Sequence, residues 1–161
     1  MAAILYSFRP SWFYLLSLLL LLGACRPAPE PDRPPVIRFG HDACDYCRML
    51  IGEPRYAAAL RTADGQERRF DDIGCLLHYL HEHPEAADAR IWVHDYLQER
   101  WLRAPQAFFV RSDRLITPMG YGIVALGDSL AADSLAHTLG GTFTRFDTLR
   151  ANPPPEPARL R

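Results

Sequence analysis

The sequence predicts an α+β domain made of two tandem ββαβ units packed together. Three observations predict it. Short runs of β-branched and aromatic residues, of strand length, are separated by turn-forming clusters. Two stretches carry apolar residues at helical spacing, each preceded by an Asp that can cap it and each closed by Pro or Gly. The same order of elements then occurs on both sides of about residue 100.

The chain opens with Arg9 in a short n-region and an apolar run from Trp12 to Leu22. That run is shorter than the roughly 20 residues a spanning helix needs, and it leads into Leu22-Gly-Ala-Cys25. Small residues immediately before a cysteine resemble a bacterial lipobox, which implies cleavage before Cys25 and acylation of its sulfur. Residues 1–24 are then a lipoprotein signal peptide, and removing Arg9 with no acid takes the formal charge from −1 to −2. All 18 basic residues are Arg, so Schiff-base and lysine-nucleophile chemistry are excluded. No basic block points to nucleic acid. Residues 25–40 read as an acylated, proline-rich tether and residues 151–161, again proline-rich, as a disordered tail. The domain between them is assigned to 41–150, with repeats at about 41–97 and 104–150.

Within the first repeat, Tyr56 to Thr62 reads as a strand and Ala63-Asp-Gly-Gln66 as a hairpin turn. Glu67 to Asp71 forms the return strand. Asp72 caps a helix carrying Ile73, Leu76, Leu77 and Leu80, which Pro84 ends. Arg90 to Leu97 is the third strand. In the second repeat, Ala107 to Ser112 and Tyr121 to Leu126 are strands joined by a longer connection over 113–120. Asp128 or Ser129 caps a helix with Ala132, Leu135, Ala136 and Leu139 on its apolar stripe, closed by Gly140-Gly141. Thr142 to Leu149 is the last strand.

The chemistry concentrates in His41-Asp-Ala-Cys44-Asp-Tyr-Cys47-Arg-Met49. Cys-x-x-Cys spacing serves redox enzymes, zinc sites and disulfides alike. A thioether two residues beyond adds nothing to disulfide exchange and is an unusual zinc ligand, but soft sulfur suits Cu(I). Beyond Cys25 three cysteines remain, Cys44, Cys47 and Cys75, an odd number that does not make a disulfide scaffold. Met49 and Met119 are the two methionines past the signal peptide, both in loops entering strands, where core packing does not explain them. If the repeats pack side by side, Met119 could face Cys44, Cys47 and Met49, and the metal would bridge them. Cys75 sits in the first turn of a helix, where a thiol can be activated; the favoured reading is a small buried apolar residue. His94 reads either as an imidazole ligand or as a half-buried strand residue. His41 reads as a fourth ligand or part of the linker, and His78, His81 and His83 as a solvated helix end.

Taken together, the lipobox, Asp-Ala-Cys-Asp-Tyr-Cys-Arg-Met-Leu-Ile, Arg-Arg-Phe-Asp-Asp-Ile-Gly-Cys, Ile-Trp-Val-His-Asp-Tyr, Ala-Phe-Phe-Val and Thr-Pro-Met-Gly resemble the NosL family, accessory lipoproteins of nitrous oxide reductase. The resemblance runs from Cys44 to about Leu149. It implies a periplasm-facing, lipid-anchored Cu(I) carrier rather than an enzyme, supplying copper for the reductase's metal centres in denitrification. It further implies partners in the apo-reductase, a periplasmic accessory protein and an ABC-type transporter, and a duplicated fold similar to organomercurial lyase. The metal-site residues it implies are Cys44, Cys47, Met49 and Met119.

Three other readings compete. A thiol–disulfide oxidoreductase using Cys44 and Cys47 would need the pair at a helix N-terminus, whereas here it precedes a strand. A carbon–mercury lyase follows from fold resemblance alone, which does not carry chemistry. A structural zinc site is separable from copper by mass spectrometry of the loaded protein.

Overall fold

The computed structural model describes residues 32–157. The expected signal peptide and the lipidation site Cys25 lie outside the described residues. The chain divides after Arg33, and the unit that begins at Pro34 carries every element below. No helix among the described residues is long and apolar enough to cross a membrane.

The first sheet holds β1 (Ala58–Arg61), β2 (Glu67–Phe70), β3 (Arg90–His94) and β4 (Trp101–Arg103), in the order β2-β1-β3-β4 and antiparallel throughout. Helix α1 (Ile73–Glu82) connects β2 to β3. The second sheet holds β5 (Phe108–Arg111), β6 (Ile123–Leu126) and β7 (Thr142–Arg145), in the order β6-β5-β7, again antiparallel. Helix α2 (Ser129–Leu139) connects β6 to β7, and a short helix α3 (Phe146–Ala151) follows. In both sheets the first strand of the hairpin lies in the middle, between its hairpin partner and the strand that returns after the helix. A single parallel bridge between Asp95 and Ala125 links the two sheets, with the Tyr96 amide donating to the Ala125 carbonyl at 2.8 Å.

Alternation along the strands explains how the layers stack. Phe109, Ile123 and Ala125 enter the larger core with Leu60, Phe70, Leu76, Val93 and Phe146. Their neighbours Val110, Val124 and Leu126 face the other way and pack with Ala132 and Ala136 of α2. Strands β5 and β6 are therefore covered on both faces, and Phe109, Ile123 and Ala125 line the core that α1 also uses.

The expected helix caps form. The Asp72 side chain accepts from the Gly74 amide and the Asp128 side chain from the Ala131 amide. Helix α2 ends on Gly140 at φ 58°, a left-handed turn that a side chain would strain.

Four expectations change. The third strand stops at His94 rather than Leu97, because the Asp95 carboxylate accepts from the Leu97 and Gln98 amides and turns the chain. That turn returns as β4, an unexpected strand pairing Trp92 with Arg103 and His94 with Trp101. The last strand stops at Arg145 rather than Leu149. Phe146 and Leu149 are both buried in one core, which a helical i, i+3 spacing permits and a strand, placing them on opposite faces, does not. The domain starts before residue 41: Ile37 is buried and Phe39 packs on the core, within the segment expected as tether. At the other end, expected as a disordered tail, residues 152–157 lie against the domain. Pro154 is buried, its carbonyl accepts from His78 Nε2 at 2.8 Å, and Glu156 accepts from the Tyr46 hydroxyl at 2.5 Å. Residues 158–161 lie outside the described residues.

Candidate metal site

Residues 42–51 fold into a tight loop before the first strand. Ala43 bridges Leu50, the Cys44 amide donates to the Met49 carbonyl at 2.8 Å, and the Arg48 amide donates to the Cys44 carbonyl at 3.1 Å. Arg48 itself turns the chain at φ 67°. Cys44 and Cys47 thus sit on one turn of a reversal rather than at the start of a helix, which removes the context an oxidoreductase pair needs. The loop is fastened to β2 by a reciprocal pair. The Asp45 amide donates to the Arg69 carbonyl at 2.8 Å, and the Arg69 amide donates to Asp45 Oδ2 at 2.7 Å. Both cysteines are thereby held beside the end of β2, where the chain passes through Asp71 into α1.

Cys75, in the first turn of α1, completes the group. The Sγ atoms of Cys44, Cys47 and Cys75 and a carboxylate oxygen of Asp71 all lie within 4.8 Å of one another. A metal–sulfur bond of about 2.3 Å puts sulfurs about 4 Å apart around a three-coordinate ion and about 4.6 Å apart across a two-coordinate one, so the cluster has the right size for a soft cation. None of the three cysteines is in a disulfide. Cys44 and Cys75 are fully buried and Asp71 nearly so, while Cys47 is half-buried and marks the accessible edge.

Electrostatics follow from this packing. The Cys47 thiol is pushed down to about 4, chiefly because the Cys44 and Cys75 thiols donate to its sulfur. Cys75 moves the other way, its ionisation opposed first by the neighbouring Cys44 and Cys47 and then by burial. Burial raises the Asp71 carboxyl to about 7, helped by negative charge at Cys44. Cys47 Sγ lies 3.3 Å from Asp71 Oδ1, with the thiol donating to the carboxylate. Buried thiols and a carboxyl this close together ionise jointly only when a cation offsets their charge, and cation binding displaces their protons.

Of the residues assigned to the metal from sequence, Cys44 and Cys47 stand in this cluster. Met49 is 58 % exposed, its carbonyl holding the Cys44 amide. Met119 is half-buried against the same core on the connection between β5 and β6, its amide donating to Asp72 Oδ2 at 3.1 Å. Asp71 is a member that sequence reasoning does not find, and Cys75 is one that it weighs as an activated thiol and favours as a small buried residue. Cys75 is buried, as read, yet its sulfur also joins the group. The signal was the odd count of cysteines together with an Asp-Asp pair just before the third.

The histidines stand elsewhere. His94 is buried, edge-on to Trp101 with ring centroids 3.9 Å apart and to Phe39 at 6.0 Å, and neither ring nitrogen has a hydrogen-bond partner. Burial holds its pKa down at about 4. His41 and His81 are exposed, and His83 stacks on Tyr79. His78, expected to be solvated, is half-buried with Tyr46 and Tyr121 rings beside it at 5.8 and 5.3 Å. The Tyr121 ring lies directly over Gly74, where a Cβ would come within 2.0 Å of it, so only glycine lets this ring close on the helix start next to Cys75.

No curated protein matches the sequence. The fold is similar to the crystal structure of the copper chaperone NosL from Shewanella denitrificans, with a TM-score of 0.64 and 26 % identity, covering 73 % of this chain and 95 % of that one. A copper chaperone is a carrier rather than an enzyme, and the sulfur cluster suits that class. The NosL family model matches residues 37–152, most of the sequence and nearly all of the described domain, and the chain belongs to the NosL family.

Proposed function

We propose that this protein binds copper as Cu(I) and hands it on to an acceptor during assembly of the copper centres of nitrous oxide reductase, from a lipid anchor at Cys25 on the periplasmic side of a bacterial membrane. The observation that carries the copper reading is the convergence of three cysteine sulfurs within 4.8 Å around one partly accessible thiol. Soft, polarisable donors select Cu(I) over hard cations. Cys44, Cys47 and Cys75 form the primary donors in this reading. Met119 and Met49 supply thioethers that raise affinity without adding charge. A carrier must also release its ion. The half-buried Cys47 provides the side from which an acceptor's sulfur enters, so that exchange proceeds through a shared intermediate rather than free copper. The apo-reductase, a periplasmic accessory protein and an ABC-type transporter are the partners this role calls for.

Cu(I) titration of the reduced protein against a competing chelator tests the reading. Cys44→Ser and Cys47→Ser are each expected to weaken binding by about 100-fold or more, close to 3 kcal/mol. Binding that survives both substitutions, or a preference for zinc when both metals are offered under reducing conditions, would overturn it.

A further inference from the structure

We propose that Asp72 is the positioning residue that sets Met119 against the cysteine cluster, so that one carboxylate joins the two halves of the copper site. The inference rests on the reading of Met119 as a copper ligand. Asp72 is fully buried and its two oxygens serve different halves of the protein. Oδ1 accepts from the Gly74 amide at 2.9 Å, fixing the first turn of α1 one residue before Cys75. Oδ2 accepts from Thr117 Oγ1 at 2.6 Å and from the Met119 amide at 3.1 Å. Thr117 Oγ1 in turn accepts from the Gly122 amide at 3.2 Å, closing the connection on itself. Met119 lies in neither a strand nor a helix, so this carboxylate takes the place of a ladder partner for its amide.

A helix cap alone requires only the first of these bonds. Asn caps a helix as well as Asp, so Asp72→Asn separates the two roles. The Asn carbonyl oxygen keeps the Gly74 amide, and its NH₂ group then faces Thr117 and Met119. The Thr117 hydroxyl can rotate to accept from it, but the Met119 amide is a donor and cannot. The variant therefore unhooks Met119 while leaving α1 capped.

The test is a double-mutant cycle on the full-length protein in detergent, with Cu(I) affinity measured for the wild type, Met119→Leu, Asp72→Asn and the pair. Amide hydrogen exchange at Gly74 and Met119 is followed in the metal-free protein. Each single variant is expected to lose about tenfold in affinity, and the pair no more than either one. Exchange at Met119 should accelerate at least about tenfold in Asp72→Asn, with Gly74 still protected. Asp72 is merely structural if Met119→Leu costs as much in the Asp72→Asn background as in the wild type, or if Met119 protection is unchanged. A silent Met119→Leu in a wild type that still depends on Cys44 removes the thioether from the site and this inference with it, leaving the cysteine site standing. A wild type that binds no Cu(I) defeats the proposed function instead, and the exchange data alone then decide whether the clamp exists.

Discussion

The two halves of the domain use one order of elements for different ends. In each, a hairpin leads into an Asp-capped helix and the helix returns to a third strand beside the hairpin's first. In the first half the helix is nearly all buried, Ile73 to Leu77 with Tyr79 and Leu80, and its cap Asp72 is sealed from solvent. In the second only Ala132 and Ala136 of α2 are buried, and its cap Asp128 is less enclosed. The difference teaches that a capping carboxylate acquires a second task when burial makes its second oxygen find donors as well. Around Asp72 the donors to that second oxygen come from the other half, and the cysteine cluster stands at the same helix start. Around Asp128 the cap remains a local device. The second half otherwise gives the first its core wall.

That contribution can be broken most severely at Phe109, a fully buried residue of β5 that packs in the core shared with α1. Phe109→Ala should cost about 4 kcal/mol in denaturant unfolding, through lost burial and the cavity left behind. Phe143→Ala, on the partly exposed β7, should change stability by less than about 1 kcal/mol.

The caps give the sharper contrast. Asp72→Ala leaves the Gly74 and Met119 amides and the Thr117 hydroxyl without their acceptor, and should cost about 3 kcal/mol. Asp128→Ala removes one bond near solvent and should cost about 1 kcal/mol. Equal losses in the two unfolding curves would mean that the buried carboxylate adds nothing beyond capping.

A pH scan distinguishes the halves in another way, because His94 belongs to the first. Its folded pKa, about 4, lies below the ordinary value of 6.5, so the unfolded chain binds the proton more readily. The stability this neutral ring permits is present above pH 6.5 and is lost as pH falls toward 4, to a limit of about 3 kcal/mol. Two groups in the cluster act over overlapping ranges. Cys47, lowered to about 4, changes stability in the same sense as His94, while Asp71, raised to about 7, opposes it. The difference between the wild-type and His94→Leu profiles cancels both and isolates the imidazole. A flat difference between pH 4 and 6.5 would show that the ring is protonated in the folded protein.

The smallest expected effect concerns residues 152–157. Tyr46→Phe removes the hydroxyl that donates to Glu156 at 2.5 Å, with Glu82 Oε1 3.0 Å away, and should cost about 1 kcal/mol, visible as a small shift in the thermal midpoint.

How much of this was legible in the sequence depended on the distance over which each feature is determined. Both caps, the Gly140 stop and the hairpin around Asp64-Gly65 follow from interactions spanning about four residues, and sequence reading found them. The turn at Asp95, the strand β4 and the helical course of Phe146 to Ala151 depend on which neighbours accept those residues, so reading them as strand or loop failed where tertiary packing chose otherwise. The cysteine pair was evident from its spacing. The third sulfur was not, because a cysteine before Leu-Leu on an amphipathic helix looks the same whether it faces a core or a metal. By itself the sequence determined two capped helices, paired short strands and a concentration of soft donors. Only the folded chain decided that residues 71–75 meet both 44–47 and 117–119, since their approach is set by strand register and by a core drawn from both sheets, neither of which any local stretch contains.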